Sequence, residues 1–339
     1  MAELLNDACP SIQYRLRREV LNESPSQPEM LRLQDRIMRD EAVQVLIRGQ
    51  QPDGWLGWSF HGDGGMEPGI RLLCEKGVDP HHPVLARSLG ALAMHMDRLD
   101  RGIGKVGGIL DDRLLGGSRM ILATLLANAG IEDVADVRAQ ITIALEGFTS
   151  VCAVEAIGDV AEPYRGKLVF RPGVLWPSIY HLRLLAFTHS WRTTDSRRTI
   201  AESIKRLTQL SPIPEIYARH GSQLVAPASF AMHDFSPDVA TMNAADWMPW
   251  FHRAELLSRL GVVPEIAALR RQVDALETTL DAASGRFTRP LTHDYFRRWG
   301  AYTGLMLEKD WRSPTRRVYD LTFRSLITLH YAATQRTTD

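Results

Sequence analysis

The stretch "QQPDGWLGWSFHG", residues 50–62, is the most unusual part of the 339-residue sequence. It places three glycines, a proline and two tryptophans between segments that have the spacing of amphipathic helices. Glycine permits tight turns, and a glutamine side chain can satisfy free backbone groups at a helix end. An indole covers apolar surface while its N–H finds an acceptor. The stretch therefore predicts a rigid corner between two helices.

Helical periodicity dominates the sequence on both sides of this corner. Serine and proline start signals open the segment 24–40, and a glycine ends the segment 67–77. In several successive pairs one helix is markedly more apolar than its partner, and a helix that is apolar all round is buried. This alternation predicts an all-α fold, an α/α toroid of about six helix pairs. We expect a single domain over residues 1–339, with residues 1–40 as a candidate N-terminal helical arm.

Strand signals are scarce. The best strand-like run is "GKLVF", residues 166–170, and "RFTRPLTHDYF", residues 286–296, is a weaker one. Residues 211–243 have no clear periodicity and are interpreted as a long irregular loop. Loops of this length in compact domains are often functional or mobile.

Charge and composition restrict the class of partner. Basic and acidic residues number 40 each, so no positive excess favours nucleic acid. No apolar run approaches the ~18 residues of a membrane span, so no integral membrane segment is expected. Three separated cysteines and an N-terminus unlike a signal peptide predict a cytoplasmic protein. Arginine greatly outnumbers lysine, which would matter in a cleft that binds carboxylate or phosphate, but it is interpreted as compositional bias. The oligomeric state is left open.

The corner resembles the glutamine–tryptophan turn of squalene-hopene cyclases and protein prenyltransferase β-subunits. In those repeats a glutamine, a glycine and a large aromatic join two barrel helices, and Gln50 or Gln51, Gly54, and Trp55 or Trp58 stand in the same order. In helical layout the whole chain is similar to small bacterial proteins classed with prenyltransferase and squalene-oxidase repeats. The resemblance implies an α/α toroid and a terpenoid-cyclase-like or prenyltransferase-like enzyme. Its substrate would be a hydrophobic isoprenoid in a central, aromatic-lined cavity.

The catalytic motifs of this superfamily are incomplete in the sequence. The DxDD acid of class II cyclases is matched only by Asp111 and Asp112, with Ile109 where the first aspartate would stand. The DDxxD motif that binds magnesium lacks its last aspartate here. Around Cys74 no spacing matches the zinc ligands of protein prenyltransferases. No metal site is therefore predicted, and a magnesium requirement is left open because no motif supports it.

Two groups of titratable residues are candidate catalytic sites. His61, Asp63 and Glu67 lie within seven residues among glycines and could act as acid and base. The alternative is a solvated loop in which Glu67 favours the start of the next helix. Asp111 and Asp112 could raise each other's pKa and supply a proton in an apolar cavity. The alternative is a helix cap or an ion pair.

The candidate substrate-binding residues are mainly aromatic or cationic side chains, which can line a cavity and stabilise a carbocation or stack on a sugar ring. The alternatives are core packing for the aromatics and polar loops for the others. These residues are Trp58, Glu67, Trp176, Tyr180, His181, Asp246, Trp250, Arg253 and Trp299.

Three functional hypotheses follow. In the first, an isoprenoid enzyme uses Asp111 or Asp112 as its acid, and Arg253 or His61 orients the polar end of the substrate. In the second, a carbohydrate lyase or hydrolase takes its proton-transfer groups from five residues: His61, Tyr180, His252, Asp63 and Asp246. In the third, the protein binds a small molecule or a partner without catalysis. Geometry discriminates between them. If Asp111 and Asp112 point into the cavity, the first hypothesis is favoured, and if a wet cleft collects His61, Asp63 and Asp246, the second is favoured. If neither arrangement occurs, the third is favoured.

Overall fold

The structure is a computed structural model, and it describes residues 1–227, 231–291 and 306–334. It is mostly helical. The α-helices are α1 (Ala2–Asp7), α2 (Pro10–Arg15), α3 (Pro28–Met38), α4 (Glu41–Gly49), α5 (Met66–Lys76), α6 (Pro83–Met94), α7 (Lys105–Asp112), α8 (Ser118–Asn128), α9 (Ala135–Val151), α10 (Ile157–Val160), α11 (Ile179–Phe187), α12 (Thr194–Leu210), α13 (Ala244–Leu260), α14 (Ala267–Thr279) and α15 (Pro314–Thr334). A π-helix, Leu16–Val20, continues α2, and short 3₁₀ turns follow α6 and α13.

A four-stranded mixed sheet shows that the prediction of an all-α toroid is wrong. Its strands are β1 (Ala161–Tyr164), β2 (Lys167–Phe170), β3 (Ile216–His220) and β4 (Gln223–Pro227), in the order β1-β2-β3-β4. β1–β2 and β3–β4 are antiparallel hairpins, and β2 pairs in parallel with β3. The strand-like run at 166–170 is therefore a strand. The second hairpin lies inside the segment interpreted as an irregular loop.

The second hairpin was missed because its residues carry a weak strand signal. Only "IYA" and "LVA" have the alternation of a half-buried strand, and charged residues and a glycine separate them. The sheet is completed by the pairing of Leu168 with Ile216, which are 48 positions apart in the sequence. Local periodicity does not report such long-range pairing, because strand stability depends on its neighbours.

Six elements, with α2 and the π-helix that continues it counted as one, form a circuit around the centre of the molecule. Helix α5 packs on α8, α8 on α11, α11 on α13 and α13 on α15. The circuit closes because α15 contacts the π-helix and α2 contacts α5. Helix α9 packs on α8 and α11, α14 packs on α15, and α12 packs on α9. The largest hydrophobic cluster fills the contacts between these elements.

The opening stretch forms the corner between α4 and the helices that follow. The side-chain amide of Gln50 donates to the Val84 carbonyl at 2.7 Å and to the Ser88 hydroxyl at 2.9 Å, which fixes the end of α4 to α6. Trp55 is completely buried, whereas Trp58 is 70% exposed. The aromatic residue of the corner is thus Trp55.

The first part of the segment 1–40, which was expected as a candidate arm, packs against the C-terminal helix. Leu4, Ile12 and Leu16 share a hydrophobic cluster with Phe323 and Ile327 of α15. Among the described residues, no helix combines the length and apolarity needed to cross a membrane.

Gly54 tests the geometry of the corner. It has a φ of +91°, and a Cβ at this position would overlap the carbonyl oxygen of Arg87 in α6. We expect Gly54→Ala to lower the free energy of unfolding by more than Gly62→Ala, the matched control. Gly62 has a φ of +102° but no heavy atom within 4 Å of the added Cβ, so it reports backbone strain alone, about 1–3 kcal/mol. Urea unfolding of both variants measures the difference, and equal losses would contradict the close approach of α6.

Candidate functional site

A cavity of 470 Å³ lies inside the circuit of six elements, and we call it the arginine cavity. Among the described residues its lining includes six arginines and three glutamates, together with histidine, tyrosine and asparagine side chains. Its charged and ionisable lining comprises Tyr14, Arg15, Arg18, Glu19, Arg71, Cys74, Glu75, Arg183, His252, Glu255, Arg259, Arg324, His330 and Tyr331. The cavity is therefore polar and cationic, not the aromatic-lined cavity that the resemblance implies.

Helical spacing places these side chains on one wall. Arg71 and Glu75 are four residues apart in α5, and His252, Glu255 and Arg259 recur every three or four residues in α13. Residues at this spacing share a helix face. Each helix therefore turns one polar stripe toward the cavity and its apolar residues toward its neighbours.

Part of the arginine charge is neutralised within the wall. Glu19 accepts from Arg15 and Arg259, each at 2.6 Å, and from the Tyr331 hydroxyl at 3.0 Å. Burial opposes ionisation of Glu19, but the charges of Arg15 and Arg259 outweigh it and hold its pKa well below the usual range. Glu255 lies 2.8 Å from Arg259. This network joins the π-helix, α13 and α15.

The cavity lining also carries a histidine between arginines. Arg183 Nε donates to His252 Nε2 at 3.0 Å, and Arg71 pairs with Glu75 at 3.0 Å. Burial, reinforced by the nearby charge of Arg71, lowers the pKa of Arg183 to about 10. Burial and then the charges of Arg183 and Arg71 lower the pKa of His252 well below its usual value. The imidazole is therefore neutral in the empty cavity at neutral pH.

Three of the predicted residues meet just behind this wall. His61 Nδ1 contacts Glu67 Oε2, and the Tyr180 hydroxyl donates to Glu67 Oε1 at 3.4 Å. Glu67 is 1% exposed, at the start of α5 and one turn before Arg71. Tyr180 lies under the guanidinium of Arg183, 5.1 Å from ring centre to Cζ. The glycine-rich loop is thus connected to the arginine cavity through Glu67 and Tyr180.

The predicted acids lie outside the arginine cavity. Asp111 accepts from the backbone N–H of Arg119 at 3.0 Å, at the N-terminus of α8. Burial raises its pKa, against the opposing effect of this hydrogen bond. Asp112 is exposed, and both aspartates line a separate small cavity of 170 Å³. The helix-cap interpretation describes Asp111.

The other predicted residues are dispersed over the molecule. Trp176 is buried against Phe170 of the sheet, with ring centres 6.0 Å apart. His181 accepts from the Ser178 backbone N–H at 3.0 Å at the start of α11, and burial lowers its pKa to about 4. Asp63 and Trp58 are exposed on the loop. These positions provide no common site.

The segment around Trp250 is similarly structural. Trp250 donates to Gln272 at 2.8 Å inside an aromatic cluster with Trp247. Asp246 accepts from the Asn243 N–H at 3.3 Å at the start of α13 and is exposed. Arg253 donates to the Ala231 carbonyl at 3.3 Å. Trp299 lies outside the described residues.

A second cavity, which we call the apolar groove, adjoins the first. It has a volume of 890 Å³ and a largely apolar lining that includes Leu89, Leu92 and Leu126. Tyr14 and Arg18 line both cavities. Within residues 1–227, 231–291 and 306–334, no three His, Cys, Asp or Glu side chains are arranged to hold a metal ion.

Sequence analysis missed most of the arginine cavity. The available signal was an arginine inside an apolar helix, such as Arg183 in "IYHLRLLAF", and the polar residues spaced by three or four in residues 14–22. A buried arginine is unusual and requires a partner or a ligand. The surplus of arginine over lysine was attributed to composition, whereas six of the arginines line one cavity.

Asp111→Ala tests the cap assignment. We expect it to lower the free energy of unfolding by about 1 kcal/mol, because α8 loses the acceptor at its N-terminus. Asp112→Ala, an exposed neighbour, is the matched control and should stay within about 0.5 kcal/mol of the wild type. Chemical unfolding measures both. An Asp111→Ala protein of unchanged stability would contradict the assignment.

Comparison of the chain with protein-family models, curated proteins and solved structures gives no match. The resemblance to terpenoid cyclases and prenyltransferases stays a hypothesis.

Proposed function

We propose that the protein binds a small molecule through an anionic group in the arginine cavity. The observation that carries the proposal is that six arginines and three glutamates line one cavity. Guanidinium groups bind phosphate and carboxylate with two parallel hydrogen bonds. Burial makes such contacts stronger than they are at a surface.

The apolar groove supports an amphipathic ligand, with a prenyl diphosphate as the leading candidate. A diphosphate in the arginine cavity would neutralise the excess charge, and a hydrocarbon chain would remove apolar groove surface from water. Tyr14 and Arg18 line both spaces and would contact the junction of head group and chain. This keeps the isoprenoid hypothesis in its diphosphate-binding form.

Acid-initiated cyclisation has less support than diphosphate chemistry. Asp111 is engaged with the N-terminus of α8, outside the arginine cavity. Arginines placed around a diphosphate would instead stabilise the charge that develops when this group departs. The reaction expected of such a site is transfer or elimination of the prenyl group.

An acidic sugar is the second candidate. Asn22, Asn128 and Tyr331 line the same cavity and can hydrogen-bond hydroxyl groups, while the arginines bind a carboxylate. Neutral His252 would then be positioned as a proton acceptor. An acidic sugar would not require the apolar groove, whereas a prenyl diphosphate would. A substitution in the groove therefore separates the two candidates experimentally. The non-catalytic alternative is a protein that binds either ligand without turnover.

Titration calorimetry with pyrophosphate, farnesyl diphosphate, farnesol and oligogalacturonate tests the proposal, with and without magnesium. We expect farnesyl diphosphate to bind more tightly than pyrophosphate or farnesol, because it uses both spaces. Arg18 is exposed, so Arg18→Gln should leave folding intact. It should weaken the binding of pyrophosphate and of farnesyl diphosphate at least about tenfold. Arg32→Gln, 68% exposed and outside both cavities, is the control.

Gly90→Phe separates the chain site from the head-group site. Gly90 lines the apolar groove and has no heavy atom within 4 Å of an added Cβ, so the phenyl ring fills groove space. The substitution should weaken the binding of farnesyl diphosphate and leave the binding of pyrophosphate unchanged. Mass spectrometry of the same mixtures detects turnover. Tight binding of oligogalacturonate alone would replace the isoprenoid proposal by the sugar proposal, and binding of no anion would refute both.

A further inference from the structure

Four arginines from four helices act electrostatically on His252. Arg183 of α11, Arg71 of α5 and Arg324 of α15 all act on it electrostatically, as does Arg253 on its own helix. The carboxylates in the lining lie on the same elements: Glu75 on α5 and Glu255 on α13, with Glu19 beyond them on the π-helix. Their partners in the structure are Arg71, which also acts on His252, and Arg15 and Arg259.

The contact between Arg183 and His252 fixes the protonation state of the imidazole. A guanidinium group donates hydrogen bonds and accepts none. The 3.0 Å bond from Arg183 Nε therefore requires a lone pair on His252 Nε2. An imidazolium carries a proton on both nitrogens and cannot accept this bond. Protonation of His252 and the Arg183–His252 hydrogen bond thus exclude each other.

We propose that His252 takes up a proton when a doubly charged anion enters the arginine cavity, and that it then donates a hydrogen bond to the anion. This inference rests on the proposed function, since it requires anion binding in this cavity. Uptake of the proton breaks the bond from Arg183, whose Nε–H then becomes available to the anion. One proton moves from solvent to His252, and no covalent bond changes.

The direction of the pH effect follows from the electrostatics. Without an anion, the pKa of His252 lies well below 6.5, because burial and then the charges of the arginines lower it. A dianion cancels part of this positive potential and so raises the pKa of His252 in the complex. Anion affinity then rises as the pH falls from the pKa of the complex toward that of the empty protein. Below both values the dependence disappears.

Sulfate is the appropriate probe, because it stays a dianion over the range in which histidine titrates. We expect its affinity for the wild type to rise roughly tenfold from about pH 8 to about pH 6. His252→Gln should abolish this dependence. His189→Gln removes an exposed histidine outside both cavities and should retain it. Circular dichroism of each variant reports folding.

Calorimetry of the wild type alone gives a second measurement that needs no variant. Sulfate binding in two cationic amine buffers of different ionisation enthalpy yields the number of protons taken up. We expect an uptake between about 0.5 and about 1 proton per sulfate at neutral pH. Sulfate binding without proton uptake would overturn this inference and leave the proposed function standing.

Two other results would also overturn it. A pH dependence that survives in His252→Gln but disappears in His330→Gln would assign the proton to His330, the other histidine of the lining. Absence of sulfate binding at every pH, together with absence of diphosphate binding, would refute the proposed function itself. The three failures are therefore distinguishable.

Discussion

The structure depends on one electrostatic constraint. A charged side chain that is removed from water must be paired with a side chain of opposite charge. Glu19 meets this requirement for two arginines at once, and it lies on the π-helix while Arg259 and Tyr331 belong to α13 and α15. A buried carboxylate between two guanidinium groups is stable only while all three elements stay in place. The network therefore closes the helical circuit at the point where the chain's N-terminal and C-terminal parts meet. The arginines of this network and the others in the lining make the cavity suitable for an anion.

The parts of the fold that depend on local patterns could be predicted from the sequence. Proline and glycine signals located helices such as α3 and α5, and "GKLVF" identified β2. The sheet itself could not be predicted, because β2 is paired with β3 by residues far apart in the sequence. The resemblance then favoured an all-α fold, and a hairpin with charged residues at its turn was interpreted as a loop.

The candidate site was predictable only in part, for a physical reason. His61, Glu67 and Tyr180 were singled out, and the structure brings them together behind the cavity wall. Asp111 is one of two adjacent carboxylates, as a catalytic acid could be, but the sequence alone does not distinguish a catalytic acid from a helix cap. The arginines were missed because each is ordinary in its own helix. Their significance arises only when six elements turn their polar faces to a common centre.

The parallel pairing of β2 with β3 has a consequence for how this chain could have evolved. The β1–β2 hairpin is inserted before α11 and the β3–β4 hairpin after α12. Either hairpin alone would present an unpaired inner strand to solvent, and such edges promote association with other chains. Each insertion thus protects the other, although neither contributes a residue to the arginine cavity. Relatives of this chain should carry both hairpins or neither, while the helical circuit and its arginines vary independently of them.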